Sequence, residues 1–136
     1  MFVPEQEKKT SITYKLPSYI SKNIKEISKE LLTNNLTPIV IGNGSKIVDQ
    51  YPLAQTKIVP YDKVFLLTND NNILMPNMIG YSRADAIALA ELLNIQCEVT
   101  GYGQVIDQSI KEGTEINKGN KLILTLEDKS NFNKGV

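Results

Sequence analysis

The sequence predicts an α+β protein made of two small β-α-β-β-β units, each with one helix packed on a three-stranded antiparallel sheet. Three observations carry that prediction. The chain repeats itself: Gly42-Asn43-Gly44 and Gly101-Tyr102-Gly103 are each followed by an Asp-Gln pair, Asp49-Gln50 and Asp107-Gln108, and then by Thr56 and Thr114, six residues after each glutamine. One stretch in each copy spaces its apolar residues as a helix face does, behind a capping residue. The other apolar residues alternate with polar ones or end each copy in a strand-like block, KVFLL or KLILTL.

Setting Pro17 on Pro76 fixes the register at a step of 59 residues. Ile20 then meets Ile79, Asn35 meets Asn94, Val40 meets Val99, and Gly42 and Gly44 meet Gly101 and Gly103. Past the glycines the step is 58: Asp49 and Gln50 meet Asp107 and Gln108, Thr56 meets Thr114, Ile58 meets Ile116, Lys63 meets Lys121, and Leu66 meets Leu124. One residue has been gained or lost between Gly44 and Asp49, at a turn, where length changes are tolerated. Two copies of one small unit follow from a period near 60 in a chain of 136 residues. The predicted divisions are a linker over 1–14, a divergent first unit over 15–69, a second unit over 74–127 and a polar tail over 128–136.

Each copy opens on a short extended segment, KLPSYI or LMPNMI. Its proline fixes its own φ and turns the preceding residue away from helix. A helix then starts at a good cap. Asn23 is followed three residues later by Glu26, and Ser82 by Asp85, both near the capping-box pattern. Ile24, Ile27 and Leu31 recur at helical spacing, as do Ala86, Ala90 and Leu93, with Ile87 and Leu89 on flanking positions. Each helix stops at an asparagine, Asn35 or Asn94, which tolerates left-handed geometry; the apolar Leu36 or Ile95 after it can pack back on the last turn. Ile95, Cys97 and Val99 alternate as in a half-buried strand, the G-x-G makes a tight hairpin turn, and VIDQ leads into the next strand.

Composition excludes several classes of function. Lys plus Arg and Asp plus Glu are both 15, so nothing pulls the chain toward nucleic acid. There is no histidine, the commonest general base and metal ligand. A single cysteine, Cys97, excludes an internal disulfide and a cysteine-based zinc site. No metal or cofactor is expected. No apolar run is long enough to span a membrane as a helix, and MFVPEQEKK has no signal-peptide pattern.

The residues that could carry chemistry read mostly as structure. The two G-x-G pairs lack the third glycine and following helix of a phosphate-binding loop, which leaves a turn. Asp49 and Asp107 repeat in register, but belong to different units and each lies beside a turn. Cys97 reads as a small buried hydrophobe with no base beside it. Arg83, the lone arginine, opens the second helix next to Tyr81. A cation in the first turn opposes the helix dipole, which gives a reason to seek a ligand for it. Tyr102 sits between two turn glycines and is expected to be exposed.

MPNMIGYS, a helix, V-x-x-Q-S and then G-T-x-I-x-x-G-x-x-L-x-L together resemble a PASTA repeat. The second copy matches well. The first departs from it, with Ser21 in place of Gly80, Gln55 in place of Gly113 and Tyr61 in place of Gly119, although it keeps Pro52, where the second copy has Ile110. Two compact copies followed by a short polar tail resemble the C-terminal end of class B penicillin-binding proteins of the 2x-like, cell-division type. Abundant Asn, Ile and Lys are compatible with an AT-rich Gram-positive genome.

The resemblance implies a non-catalytic module of a membrane-anchored septal transpeptidase, outside the cytoplasmic membrane, that positions or stabilises the enzyme at nascent peptidoglycan. The catalytic pattern of such enzymes needs S-x-x-K and K-[ST]-G, and the chain has neither. Ser21-Lys22-Asn23 fits S-x-N, but it stands alone where a helix cap is expected. The implied partners are peptidoglycan or muropeptide, the parent's transpeptidase domain and divisome proteins, with the chain itself monomeric. Tyr81, Arg83 and Tyr102 are the candidate ligand contacts: the arginine fork matches a stem-peptide carboxylate, and the rings can stack on sugar faces. Tyr51 and Tyr61 are expected to face the parent's catalytic domain or the second unit. One rival reading is the muropeptide-sensing portion of a bacterial serine/threonine kinase. Another is a brace between proteins that holds no small ligand.

Overall fold

The computed structural model describes residues 13–117 and 119–128. The predicted tail past 128 and nearly all of the predicted linker lie outside the described residues. The chain divides into two compact units. The first runs to Asn69, apart from Ile41–Asn43, and the second takes those three residues and the chain from Asp70.

The first unit contains β1 (Tyr14–Lys15), α1 (Ile24–Thr33), β2 (Thr37–Ile41), β3 (Ile47–Tyr51), β4 (Lys57–Ile58) and β5 (Lys63–Thr68). The second contains α2 (Arg83–Leu92), β6 (Gln96–Gly101), β7 (Gln104–Gln108) and β8 (Lys121–Glu127). The strand orders are β2-β5-β3 and β6-β8-β7, so the last strand of each unit is the central one. β1 pairs antiparallel with β4. At the matching place in the second unit a single bridge joins Leu74 to Glu115.

The α+β class holds, but the antiparallel sheet does not. β7 pairs antiparallel with β8, whereas β6 runs parallel to it, with Gln96 opposite Lys121 and Gly101 opposite Leu126. The sheet is mixed because β8 inserts between β6 and β7. The predicted hairpin is corrected for the same reason. The two strands beside Gly101-Tyr102-Gly103 do not pair with each other; the turn between them crosses the end of β8. A Cβ on Gly101 would collide with the Leu126 carbonyl oxygen, and one on Gly103 with that of Glu127. Both glycines also have positive φ.

The helices follow the sequence closely. Asn23 Oδ1 accepts the Lys25 and Glu26 N–H groups at 2.9 and 3.1 Å, and Ser82 Oγ accepts the Asp85 N–H at 3.1 Å. Each helix ends in a Schellman motif. Asn35 and Asn94 both have φ +62°, and the next residues donate back into the last turn, Leu36 to Leu31 at 2.9 Å and Ile95 to Ala90 at 3.1 Å. Ile24, Ile27 and Leu31 join Leu16, Tyr19, Leu36, Ile47, Ile58, Val64 and Leu66 in the first core. In α2 the buried face is Ala86, Leu89 and Ala90, with Ala88 also buried, so Leu89 belongs to the core and not to a flank.

Each β3-type strand carries a β-bulge, between Ile47 and Asp49 and between Val105 and Asp107. Residues three apart on a regular strand face opposite ways. The bulge cancels that, so Ile47 and Gln50 both point inward, as do Val105 and Gln108. Asp49 and Asp107 stay exposed beside it.

Candidate functional site

The two bulges deliver one buried glutamine to each unit, and the sequence reading missed its role. Gln50 Oε1 accepts the Tyr19 N–H at 2.7 Å, and its Nε2 donates to the Pro17 and Pro52 carbonyls, both at 3.1 Å. Gln108 Oε1 accepts the Met78 N–H at 2.8 Å, and its Nε2 donates to Pro76 at 3.0 Å and Ile110 at 2.8 Å. Only a primary amide can accept from an N–H and donate to two carbonyls at once. Each glutamine ties the extended opening segment to the sheet and to the loop beyond it. The signal was available in the repeated Pro and Gln, but an alternating strand pattern places Gln50 on the outer face. This site is structural and leaves no free group for a ligand.

Tyr81, Arg83 and Tyr102 lie at the N-terminal end of α2. Ser82 bridges to Gln104, and the Val105 N–H donates to the Tyr81 carbonyl at 2.9 Å. The segment holding Tyr81 and Arg83 therefore runs beside the start of β7, two residues after Tyr102. Tyr102 is 67% exposed. Tyr81 is half-buried; burial and the nearby Asp85 carboxylate push its phenol above the usual range. Arg83 is exposed at the first position of α2. Cys97 is half-buried instead of buried. Burial raises its thiol pKa and the Arg83 charge pulls only partly against that, so the thiol is not activated. In the first unit the matching residues are Lys22, the buried Ile24 and Asn43, so this surface is not repeated.

The isolated S-x-N match resolves into backbone geometry. Ser21 has φ +71° and Asn23 is the cap of α1. Among the described residues no group of three or more His, Cys, Asp or Glu could hold a metal ion. No helix among them is long and apolar enough to cross a membrane. At the other end of α2, Glu91, Asn94, Gln96 and Gly119 surround Ile95 in an open depression of about 360 Å³. Asn94, Ile95 and Gly119 stand out in the sequence only as structural residues and Glu91 and Gln96 do not stand out, because the depression joins a helix end to a turn 25 residues further along the chain, from Asn94 to Gly119.

Comparison with known proteins fits this architecture. The solved structure of Penicillin Binding Protein 2X from Streptococcus thermophilus is similar to 91% of this chain with a TM-score of 0.76 and 26% identity, over 19% of its own length. The extracellular region of the Ser/Thr kinase PrkC from Staphylococcus aureus matches 86% of this chain and 47% of its own, at a TM-score of 0.37 and 19% identity. An uncharacterized protein of Borreliella burgdorferi is 26% identical over 87% of this chain and 44% of its own length. The chain thus spans less than half of that curated relative's length. The family model for the PASTA domain matches residues 14–70 and 73–128. Both units are therefore accounted for, and the chain belongs to the PASTA-domain family, with two copies in tandem.

Proposed function

We propose that this chain is a cell-wall-associated, non-catalytic module of a septal peptidoglycan transpeptidase, and that it positions or stabilises that enzyme at nascent peptidoglycan. The observation that carries the reading is the likeness of 91% of the chain to Penicillin Binding Protein 2X at a TM-score of 0.76. In this reading the parent is membrane-anchored and the module works on the outer face of the cytoplasmic membrane. Tyr81, Arg83 and Tyr102 are the proposed contacts to a muropeptide. The test is capture of the full-length parent with an antibody to this chain, followed by labelling with a fluorescent β-lactam. A covalently labelled parent supports the reading. A captured protein that transfers phosphate from ATP and takes no label replaces it with the kinase-sensor reading.

The brace reading applies to the first unit, and one observation favours it. Leu32, Tyr51, Leu53, Val59 and Tyr61 are exposed by 62, 37, 66, 47 and 76%. The matching residues of the second unit are Glu91, Ser109, Lys111, Asn117 and Gly119. The first unit thus shows apolar side chains to its surroundings where the second shows polar ones or none, as expected of a unit that meets protein.

A further inference from the structure

The two G-x-G turns share their glycines and differ in the residue between them. In the second unit it is Tyr102; in the first it is Asn43, which puts an asparagine directly before a glycine, Gly44. Packing keeps that glycine: a Cβ on Gly44 would collide with the Asn69 side-chain oxygen and lie 2.7 Å from the Asn69 backbone. Asn43 is exposed, and among the described residues no hydrogen bond holds its side-chain amide. Its amide carbon is an electrophile beside a backbone nitrogen that no following side chain shields. Other asparagines lack one condition or the other. Asn23, Asn69, Asn77 and Asn120 have their side-chain oxygens engaged by backbone N–H groups. Asn35 and Asn94 are followed by the bulky Leu36 and Ile95. The turn at Asn43 also holds the chain that leaves β5. The Asn43 N–H donates to Asp70 Oδ2 at 2.7 Å and the Gly44 N–H to Thr68 Oγ1 at 3.0 Å. Just beyond, the Lys46 N–H donates to Asn69 Oδ1 at 3.1 Å and the Asn69 N–H to the Lys46 carbonyl at 2.9 Å.

We propose that Asn43 is a site of spontaneous deamidation, and that its product loosens the tie between this turn and residues 68–70. The step begins when the surface turn opens locally and the Gly44 nitrogen leaves Thr68. That nitrogen gives up its proton to solvent and attacks the Asn43 side-chain carbonyl carbon. The new nitrogen–carbon bond closes a cyclic imide. The side-chain carbon–nitrogen bond breaks, and the amide nitrogen leaves as ammonia, taking up a proton in place of the one Gly44 released. Water then opens the imide at either carbonyl and is the only other reactant. One opening leaves aspartate at 43; the other leaves isoaspartate, with the main chain running through the side-chain carbon. Both products place a second carboxylate near Asp70, which already accepts the N–H of the same residue, and like charges disfavour that arrangement. Isoaspartate also adds one atom to the backbone between the two N–H groups, so they no longer fit Asp70 and Thr68 together. Tyr102 has no amide to lose, so the modification belongs to the first unit alone.

The test is incubation of the whole folded chain in neutral buffer, followed by trypsin digestion and fragmentation mass spectrometry of the peptide Glu30–Lys46. The expected result is the mass gain of an amide turned into an acid, placed on Asn43 and growing with time of incubation. The gained fraction should accept a methyl group from an isoaspartyl methyltransferase, which marks isoaspartate. Asn43→Gln should show no gain in this peptide, because the longer side chain closes its ring far more slowly. The modified chain, separated by its added negative charge, should exchange its Asn43, Gly44 and Lys46 amide protons faster than the unmodified chain does. No gain at Asn43 in the folded chain, or a gain that comes first at Asn34 or Asn35, overturns the site. A gain at Asn43 with unchanged exchange at all three amides overturns the loosening.

Discussion

At the residue scale the two glutamines decide the most. Each satisfies a buried N–H and two carbonyls. A buried polar group left without its partner costs about 1–3 kcal/mol, so Gln108→Met, close in shape but without the amide, should destabilise the second unit by on the order of 3 kcal/mol. Gln50→Met should do the same to the first; thermal unfolding followed by circular dichroism measures both. Arg83→Ala should leave the melting temperature nearly unchanged, because Arg83 is exposed and opposes the helix dipole in the first turn. The same change should weaken binding of soluble muropeptides, and equal affinity in the variant would remove Arg83 from the contacts. Asp70 supplies a pH signature. Its carboxylate accepts the Asn72 N–H at 3.0 Å and the Asn43 N–H at 2.7 Å, which together hold its pKa below the usual carboxylate value. A depressed pKa contributes stability above the unfolded value and loses it as pH falls through the folded one. Stability should therefore drop on acidification below about 4 by more in the native chain than in Asp70→Asn, as denaturant melts across pH would report.

At the element scale the first unit has the backbone of the second without three of its glycines. Ser21, Gln55 and Tyr61 have φ of +71°, +74° and +71°, and Gly80, Gly113 and Gly119, their counterparts, have +91°, +88° and +86°. A Cβ at any of those three glycines would meet nothing within 4 Å, so the strain in the first unit is conformational and not steric. Ser21→Gly and Gln55→Gly should each stabilise the first unit by about 0.5–1 kcal/mol, the left-handed penalty less the entropy of a glycine. Unchanged melting in both would show that the penalty is met elsewhere. The helices and their caps were legible in the sequence because capping depends on residues within one turn. Asn23, Ser82, Asn35 and Asn94 all do what their positions imply. The sheets were less legible. Alternation in Ile95, Cys97 and Val99 tells which face is buried, but not which strand lies alongside, and an adjacent Gly-x-Gly looks the same whether its strands pair or are parted by a third. The bulge before Gln50 was hidden for a related reason: it is defined by the partner strand.

At the scale of the whole molecule, one scaffold written twice now carries two surfaces. The repeat in register, the matching glutamines and the shared Schellman turns account for why the two copies keep the same residues. The differences lie outside, where Leu32, Val59 and Tyr61 face Glu91, Asn117 and Gly119 across the alignment. In the proposed reading the first surface meets protein. Candidate contacts were only partly visible beforehand. Arg83 and Tyr102 stand out in a sequence because they are rare or flanked by glycines, whereas the depression beside Glu91 and Gly119 exists only where a helix end and a distant turn come together. Association of this tandem PASTA chain with the cell wall is what sedimentation with purified peptidoglycan decides. The chain should pellet with excess peptidoglycan and be released by soluble muropeptides. A chain that stays in the supernatant would contradict that association, and would make a protein the partner to seek.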